Sequence, residues 1–354
     1  MQIAVNAIPA VTGNVNERTF GYGVLTIIPG LMPHHSFYFE QDFDNDLLKP
    51  PNVTGIHFGE AVDDSIYLSI GRPHYLNSDF SPVVIAFVEA DHIDFPERVW
   101  WRFGRQTIDP VQVDIEASTA ILVPHERLRK VIADAYPHSS SKVTIVGHGP
   151  NPNPILPADE VTRRITKEVY GKEHSYFYAP SSGHESDNLE RLFAAYDIFR
   201  ARVPEPVRLL VQQPEDAKHS RAVRKAGKRA KFSSDIVFLP GLSDHDHRNV
   251  FSSARAIVFP SLSTRFPLPV LDAWTAEIPV LYTDNDILRG AGALVQGTDE
   301  KSIAEGMVAL VTTPFLASGL VDNGKQRLQA FSWESVAERV AEVLREVGTK
   351  TKKT

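Results

Sequence analysis

Residues 237–274 read VFLPGLSDHDHRNVFSSARAIVFPSLSTRFPLPVLDAW. The aliphatic run 256–259 stops at Pro260–Ser261, residues 262–267 form a short break, and a helical pattern starts at Leu268. A short apolar run closed by turn residues and followed by a helix is a buried parallel strand feeding its crossover. One step earlier the same unit occurs again: an apolar run at 236–239, Pro240–Gly241, then a helix predicted over 245–253.

Outward from this stretch the alternation continues in both directions. Candidate strands lie at 3–7, 53–58, 65–70, 83–88, 120–123 and 142–146. A second series lies at 175–179, 207–212, 236–239, 256–259 and 279–282, with helices predicted at 188–201, 219–230 and 245–253. Two strand–helix series predict an α/β protein with two Rossmann-like domains. The break between them is Gly147–His148–Gly149–Pro150–Asn151–Pro152–Asn153–Pro154, whose proline and glycine content is that of a linker. The first domain is therefore expected over 1–148 and the second over 149–331. A helix at 332–348 places Val336, Val340, Val343, Leu344 and Val347 on one stripe and is expected to return toward the first domain, leaving a polar tail at 349–354.

Composition narrows the function classes. The chain has 354 residues, 42% hydrophobic and 23% charged, as a globular protein of two ordinary domains should. It has no cysteine, which excludes disulfides, thiolate metal sites and a cysteine nucleophile. The first residues run directly into a strand, so no signal peptide is expected. No apolar stretch reaches the roughly 18 residues that span a bilayer, and a cytoplasmic location is expected. A net charge of −7 argues against nucleic acid as a partner for the whole surface.

The order of motifs resembles the GT4 (retaining, group 1) family of GT-B glycosyltransferases. In 237–274, Gly241, Pro260, Ser261, Phe266, Leu268 and Pro269 match that family's donor-binding segment, and Pro279–Val280–Leu281 and Phe331–Ser332–Trp333 match the strand and helix start that follow. In the first half, Gly21–Tyr22–Gly23 looks like its glycine loop, and AFVEADHIDFPERVW (86–100), ILVPHERLRKVI (121–132) and KVTIVGHG (142–149) are similar to three further segments. The resemblance covers nearly the whole chain. It implies a GT-B fold with an interdomain cleft, a nucleotide-sugar donor, a hydroxyl acceptor (glycan, lipid-linked or other), retention of configuration, and no metal or separate cofactor. By position it implies donor contacts at Gly21, Gly23, Ser181, Thr264, Phe266, Leu268 and Asp272.

The donor motif is divergent. Thr264 stands at the family's first glutamate, Arg265 and Pro267 at its two glycines, and Asp272 at its second glutamate. Pro180–Ser181 stands at a glycine–arginine pair, and Asp187 at a lysine. A departing nucleoside diphosphate needs positive charge, so Arg265 is the compensating candidate, with Glu89 and His92 as further catalytic candidates and Asp91 as an acceptor ligand. These last three follow the apolar strand 83–88, where polar groups face a ligand in an open α/β sheet. Loss of the three charged positions leaves a second hypothesis open, a non-catalytic GT-B homologue acting as a binding or partner subunit.

Other features have plain readings. Asp42–Phe43–Asp44 is formally a DxD but reads as part of an acidic loop over 40–46. Asp244–His245–Asp246–His247 sits at a helix start, where aspartate caps. The stretch Lys218 to Lys231 carries seven basic residues and no acid; such a run reads first as a solvated face, and the alternative is an anionic partner, which is an anionic membrane that would make the protein peripheral, a polyanionic acceptor or a nucleic acid. A transferase acting on modified DNA is the third hypothesis.

Overall fold

Seven strands form the first sheet, β1 (Gln2–Asn6), β2 (Ser36–Glu40), β3 (Val53–Ile56), β4 (Ser65–Ile70), β5 (Val83–Ala86), β6 (Ala120–Val123) and β7 (Val143–Ile145). They lie in the order β3-β2-β1-β4-β5-β6-β7, all parallel. The computed structural model describes residues 1–40, 50–57, 62–71, 82–90, 93, 110–214, 217–263, 265–283, 288 and 292–351. Strands β4, β5 and β6 are buried at every position, which is why they read as continuous apolar runs. Helices α1 (Val15–Leu25), α2 (Pro110–Ala117) and α3 (Glu126–Ala135) belong to this sheet.

The second sheet holds β8 (Tyr176–Ala179), β9 (Arg208–Gln212), β10 (Ile236–Leu239), β11 (Ala256–Phe259), β12 (Val280–Thr283) and β13 (Ala293–Val295), again all parallel, in the order β10-β9-β8-β11-β12-β13. Around it are α4 (Glu160–Val169), α5 (Leu189–Arg202), α6 (Ala217–Gly227), α7 (Asp244–Ser252), α8 (Leu268–Thr275), α9 (Glu300–Thr312) and α10 (Pro314–Leu328). The chain divides into two compact units, the first made of Met1–Pro152, Thr264–Phe266 and Phe331–Thr354, the second of Asn153–Ser263 and Pro267–Ala330. The last helix, α11 (Trp333–Thr351), buries Trp333, Val336, Val340, Val343, Leu344 and Val347 in one core with Ile3, Val5, Phe37 and Phe39 of the first sheet.

Both sheets are doubly wound. Chain direction across the sheet reverses between β1 and β4 in the first, and between β8 and β11 in the second, and ligands of such sheets meet the carboxyl ends of the strands at that reversal.

Four local expectations are corrected. Strand β2 lies where the sequence suggested the start of an acidic loop: Glu40 ends a strand and is 3% exposed. Strand β13 is only three residues long, too short for its pattern to show. The C-terminal helix runs to Thr351 rather than stopping at 348. Gly21 and Gly23 are not in a loop but inside α1, both buried. That helix starts at Val15, ahead of both glycines, because Asn14 caps it in a capping box with Glu17. Among the described residues no single helix is long and apolar enough to cross a membrane.

Candidate functional site

In the second unit, polar residues gather past the ends of β8 and β11. The loop after β8 is drawn around the carboxylate of Asp187, whose Oδ2 accepts from the Ser182 amide at 2.8 Å and from the Ser181 and Ser182 hydroxyls at 3.0 Å each. The loop ends at Asn188, which takes the left-handed conformation at φ 63°. Asn188 Nδ2 donates to the carbonyls of Pro260 at 3.0 Å and Gly297 at 2.6 Å, and its side-chain oxygen accepts from Arg191 at 2.9 Å. Leu262 N–H and Ser261 Oγ both donate to the Ser186 carbonyl, at 2.8 and 3.2 Å. The ends of β8 and β11 are thus tied together through buried Ser181, Ser186, Asp187, Asn188, Ser261 and Ser263. Sequence reasoning named Ser181, Asp187 and Ser261 but missed Ser186 and Ser263 as members of this rim. A run of serines directly after two apolar strands was the available signal.

Helix α8 follows the β11 rim. Its N-cap is Pro267, which offers no side-chain cap; Pro269 in the first turn has no N–H, and the Val270 N–H donates to the Pro267 carbonyl at 2.9 Å, which leaves the helix dipole and the Leu268 amide to favour an anion. Leu268 is 4% exposed and packs in the interior. Asp272 is the fifth residue of the helix, half-buried, midway along rather than at its start. Helix α7 is capped by Ser243, whose hydroxyl accepts from Asp246 N–H at 3.1 Å, so Asp244 and Asp246 supply first-turn negative charge rather than the cap. His247 is turned to Tyr178, 3.1 Å from its hydroxyl, and burial holds its pKa below the ordinary value.

In the first unit, Arg265 and Glu89 form an ion pair at 2.5 Å, with 27% of each side chain exposed. Residues 264–266 belong to this unit although the chain on both sides belongs to the other. Phe266 is buried and stacks face to face on His148, with ring centroids 4.3 Å apart and planes 5° from parallel. Phe20 and Trp333 complete the box around that imidazole at 5.8 and 4.9 Å. His148 is 2% exposed, and burial lowers its pKa to about 4, opposed in part by its Nδ1 bond to the Gly149 carbonyl. It is a neutral packing ring.

Gly21 and Gly23 are packing positions too. A Cβ at Gly21 would sit 2.6 Å from the Cβ of Ala10, and one at Gly23 would enter the Trp333 ring. At the winding reversal of this sheet, Asn6 Nδ2 donates to Ser69 Oγ at 3.2 Å, and Glu40 accepts from the Tyr67 hydroxyl at 3.0 Å. Register places Asn6 beside both Glu40 and Ser69, and Asn6 Oδ1 is buried with no hydrogen-bond partner among the described residues. Sequence reasoning missed these residues; the signal was a polar side chain at or one residue before the end of each of three strands. Asp91, His92 and Thr264, and the Asp42–Asp44 motif, lie outside the described residues.

Helix α6 buries Val223 and Gly227 and turns the other way Lys218, Arg221, Arg224 and Lys225, and the turn after it adds Lys228, Arg229 and Lys231, all exposed. Arg221 and Arg224 bond to neutral oxygens of Ala217 and Gln213.

Residues 174–313, which span β8 to the end of α9, match the family described as Glycosyl transferases group 1. The D-inositol 3-phosphate glycosyltransferase of Rhodococcus erythropolis is 28% identical over 119 residues, 32% of this chain and 27% of that protein. The MMP alpha-(1->4)-mannosyltransferase of Mycolicibacterium hassiacum is 30% identical over 119 residues, 31% of this chain and 29% of that protein. The chain thus spans less than a third of the length of either relative. Among solved structures, the sucrose-phosphate synthase of Thermosynechococcus elongatus is similar with a TM-score of 0.71 at 15% identity, covering 99% of this chain and 100% of that one. Anabaena HepE, solved with UDP and glucose, is similar at 0.69 and 11%, covering 98% and 100%. The fold is the GT-B glycosyltransferase fold of two Rossmann-like domains. The match to the group 1 glycosyltransferases lies within the second unit.

Proposed function

We propose that the protein transfers a sugar from a nucleotide-sugar donor to a hydroxyl acceptor, with retention and without a metal ion. The observation that carries the reading is the buried polar rim at the β8–β11 reversal, which lies inside the segment matching the group 1 family. The likeness to a protein solved with UDP and with UDP-glucose supports a nucleotide-sugar donor. In this reading the diphosphate meets the start of α8, where the helix dipole and the Leu268 amide favour an anion. Asp272 accepts from the ribose hydroxyls. Ser181, Thr264, Phe266 and Leu268 shape the donor pocket, Asp91 binds the acceptor, and Glu89 and His92 serve the proton transfer. Gly21 and Gly23 act only through the packing of α1. Arg265 supplies charge to the leaving group once its bond to Glu89 is exchanged for one to phosphate.

A panel of UDP-, GDP- and ADP-sugars tests this by thermal shift and donor hydrolysis. A true donor at about a hundred times its Kd stabilises the fold by about 2.7 kcal/mol. Hydrolysis or transfer should accompany the shift, and a panel that gives neither removes the reading.

A second reading, a non-catalytic homologue, is favoured by two observations: an anion, Asp187, holds the β8 loop, and the Arg265 cation is already neutralised by Glu89. A thermal shift without hydrolysis or transfer under any acceptor supports it. We also infer that the basic face of α6 meets an anionic partner, for which a membrane surface is the first choice.

A further inference from the structure

The loop after β8 is built around a single oxygen atom. Asp187 Oδ2 accepts from one amide and two hydroxyls, and Gly183, at φ +77°, donates its own N–H to Ser181 Oγ at 2.9 Å. That last bond occupies a lone pair of the Ser181 hydroxyl and turns its proton toward the carboxylate. Asp187 and Ser181 are each 8% exposed, whereas Ser182 is exposed, so the group of donors lies just beneath the surface. Among the described residues no lysine, arginine or histidine pairs with the carboxylate. A buried anion without a counter-ion persists only where donors replace its water, and donors converging on one oxygen suit any oxyanion, phosphate as well as carboxylate.

The carboxylate is more than a tie for the loop. The loop is already fastened by Asn188 to Pro260 and Gly297, and by Leu262 and Ser261 to the Ser186 carbonyl, none of which involves Asp187. A neutral asparagine would accept the same three bonds. What aspartate adds is a negative charge at the carboxyl end of β8, the strand at which the winding of this sheet reverses.

We propose that Asp187 is the resident anion of an oxyanion seat and sets the charge that this end of the site accepts. It excludes a phosphate group from the end of β8 and leaves that place to hydroxyl or ammonium donors of the bound molecule. The proposal rests on the donor-site reading only in taking the end of β8 as the place where a ligand approaches.

The test uses the full chain and inorganic pyrophosphate as probe, with affinity measured by titration calorimetry at low salt. Asp187→Ala empties the seat, and Asp187→Asn removes the charge while keeping an acceptor. Both variants should bind pyrophosphate roughly tenfold or more tightly than the wild type, the alanine variant more than the asparagine one, because like-charge repulsion at contact distance is lost. Adding Ser181→Ala to Asp187→Ala should cancel most of the gain, which locates it in this loop. A thermal melt gives an independent readout: phosphate or acetate should stabilise Asp187→Ala more than the wild type by refilling the seat. Equal or weaker pyrophosphate affinity in Asp187→Asn, or equal anion effects on the melts, overturns the proposal. The outcomes separate from those of the donor reading. Nucleotide-sugar turnover without a gain in pyrophosphate binding sinks this inference alone, and the gain without any response to nucleotide sugars sinks only the donor reading.

Discussion

Three neighbouring strands of the first sheet carry Glu40, Asn6 and Ser69 at or one residue before their carboxyl ends, and one buried oxygen of Asn6 has no hydrogen-bond partner among the described residues. At the matching place in the second sheet, Ser181, Asp187 and Asn188 have their side-chain groups bonded within the unit. The winding is the same, but the rims are finished differently. In the first unit the elements around the rim are pressed together by aromatic packing, with α1 against Trp333 and Phe266 against His148. In the second the rim is laced by hydrogen bonds. The two units should therefore fail in different ways: the first to changes of volume and protonation, the second to loss of particular polar atoms.

The largest effect expected concerns His148. Its folded pKa lies near 4 against an ordinary 6.5, so between these values the unfolded chain binds a proton that the folded chain refuses. Stability is fully present above pH 6.5, falls as the pH drops toward 4, and loses about 3 kcal/mol from this group alone. Denaturant unfolding at a series of pH values should show the loss, and His148→Phe, which fits the same aromatic box, should flatten the curve over that window. A variant as acid-sensitive as the wild type would mean the ring is not held neutral.

Next comes Gly23. A Cβ there enters the Trp333 ring, and Trp333 is itself fixed by its indole N–H bond to the Pro150 carbonyl at 2.7 Å. Gly23→Ala should destabilise the protein by about 2 kcal/mol, the usual scale for overpacking. Nucleotide affinity at a temperature where the variant is folded should not change. A selective loss of nucleotide affinity with normal stability would reverse the assignment and restore the glycine-loop reading.

In the second unit the effect is on binding. Asp272→Ala should weaken nucleotide binding by about 1–3 kcal/mol if its carboxylate takes ribose hydroxyls. The alanine is a good helix former, so melting should shift little. Undiminished affinity for the nucleotide would remove Asp272 from the site.

Much of this was legible in the sequence, and the exceptions share a cause. Runs such as AILV at 120–123 and AIVF at 256–259 announce buried parallel strands, because a strand covered on both faces has no polar face to show. Strand β2 hid because Ser36–Glu40 holds only three aromatic residues between two polar ones and runs into acidic sequence. Gly21–Tyr22–Gly23 after a strand fits a ligand loop and a close-packed helix equally well. The choice is made by Trp333, from the far end of the chain. The Arg265–Glu89 pair is likewise beyond local reading, since nothing in either neighbourhood names the other. The serine and aspartate bonds of the β8 loop, by contrast, join residues five and six apart and follow from local chemistry.

The smallest effect expected lies on the exposed cations of α6 and of the turn that follows it. Arg221, Arg224, Lys225, Lys228, Arg229 and Lys231 form a basic face opposite the buried Val223 and Gly227, on a chain whose net charge is −7. The rest of the protein therefore repels a polyanion long enough to wrap beyond the helix, whereas a planar anionic surface can be met by this face alone. Each cation held near an anionic bilayer contributes about 1 kcal/mol, so Lys228→Ala should weaken binding to phosphatidylserine vesicles by about fivefold. Raising the salt should weaken binding of wild type and variant alike, as exposed charges are screened within about 10 Å at 0.1 M. Fold and nucleotide affinity should not change. Equal sedimentation with anionic and zwitterionic vesicles would show that the face is merely solvated. Retention on duplex DNA at a salt concentration that releases the vesicles would transfer the surface to a nucleic-acid partner.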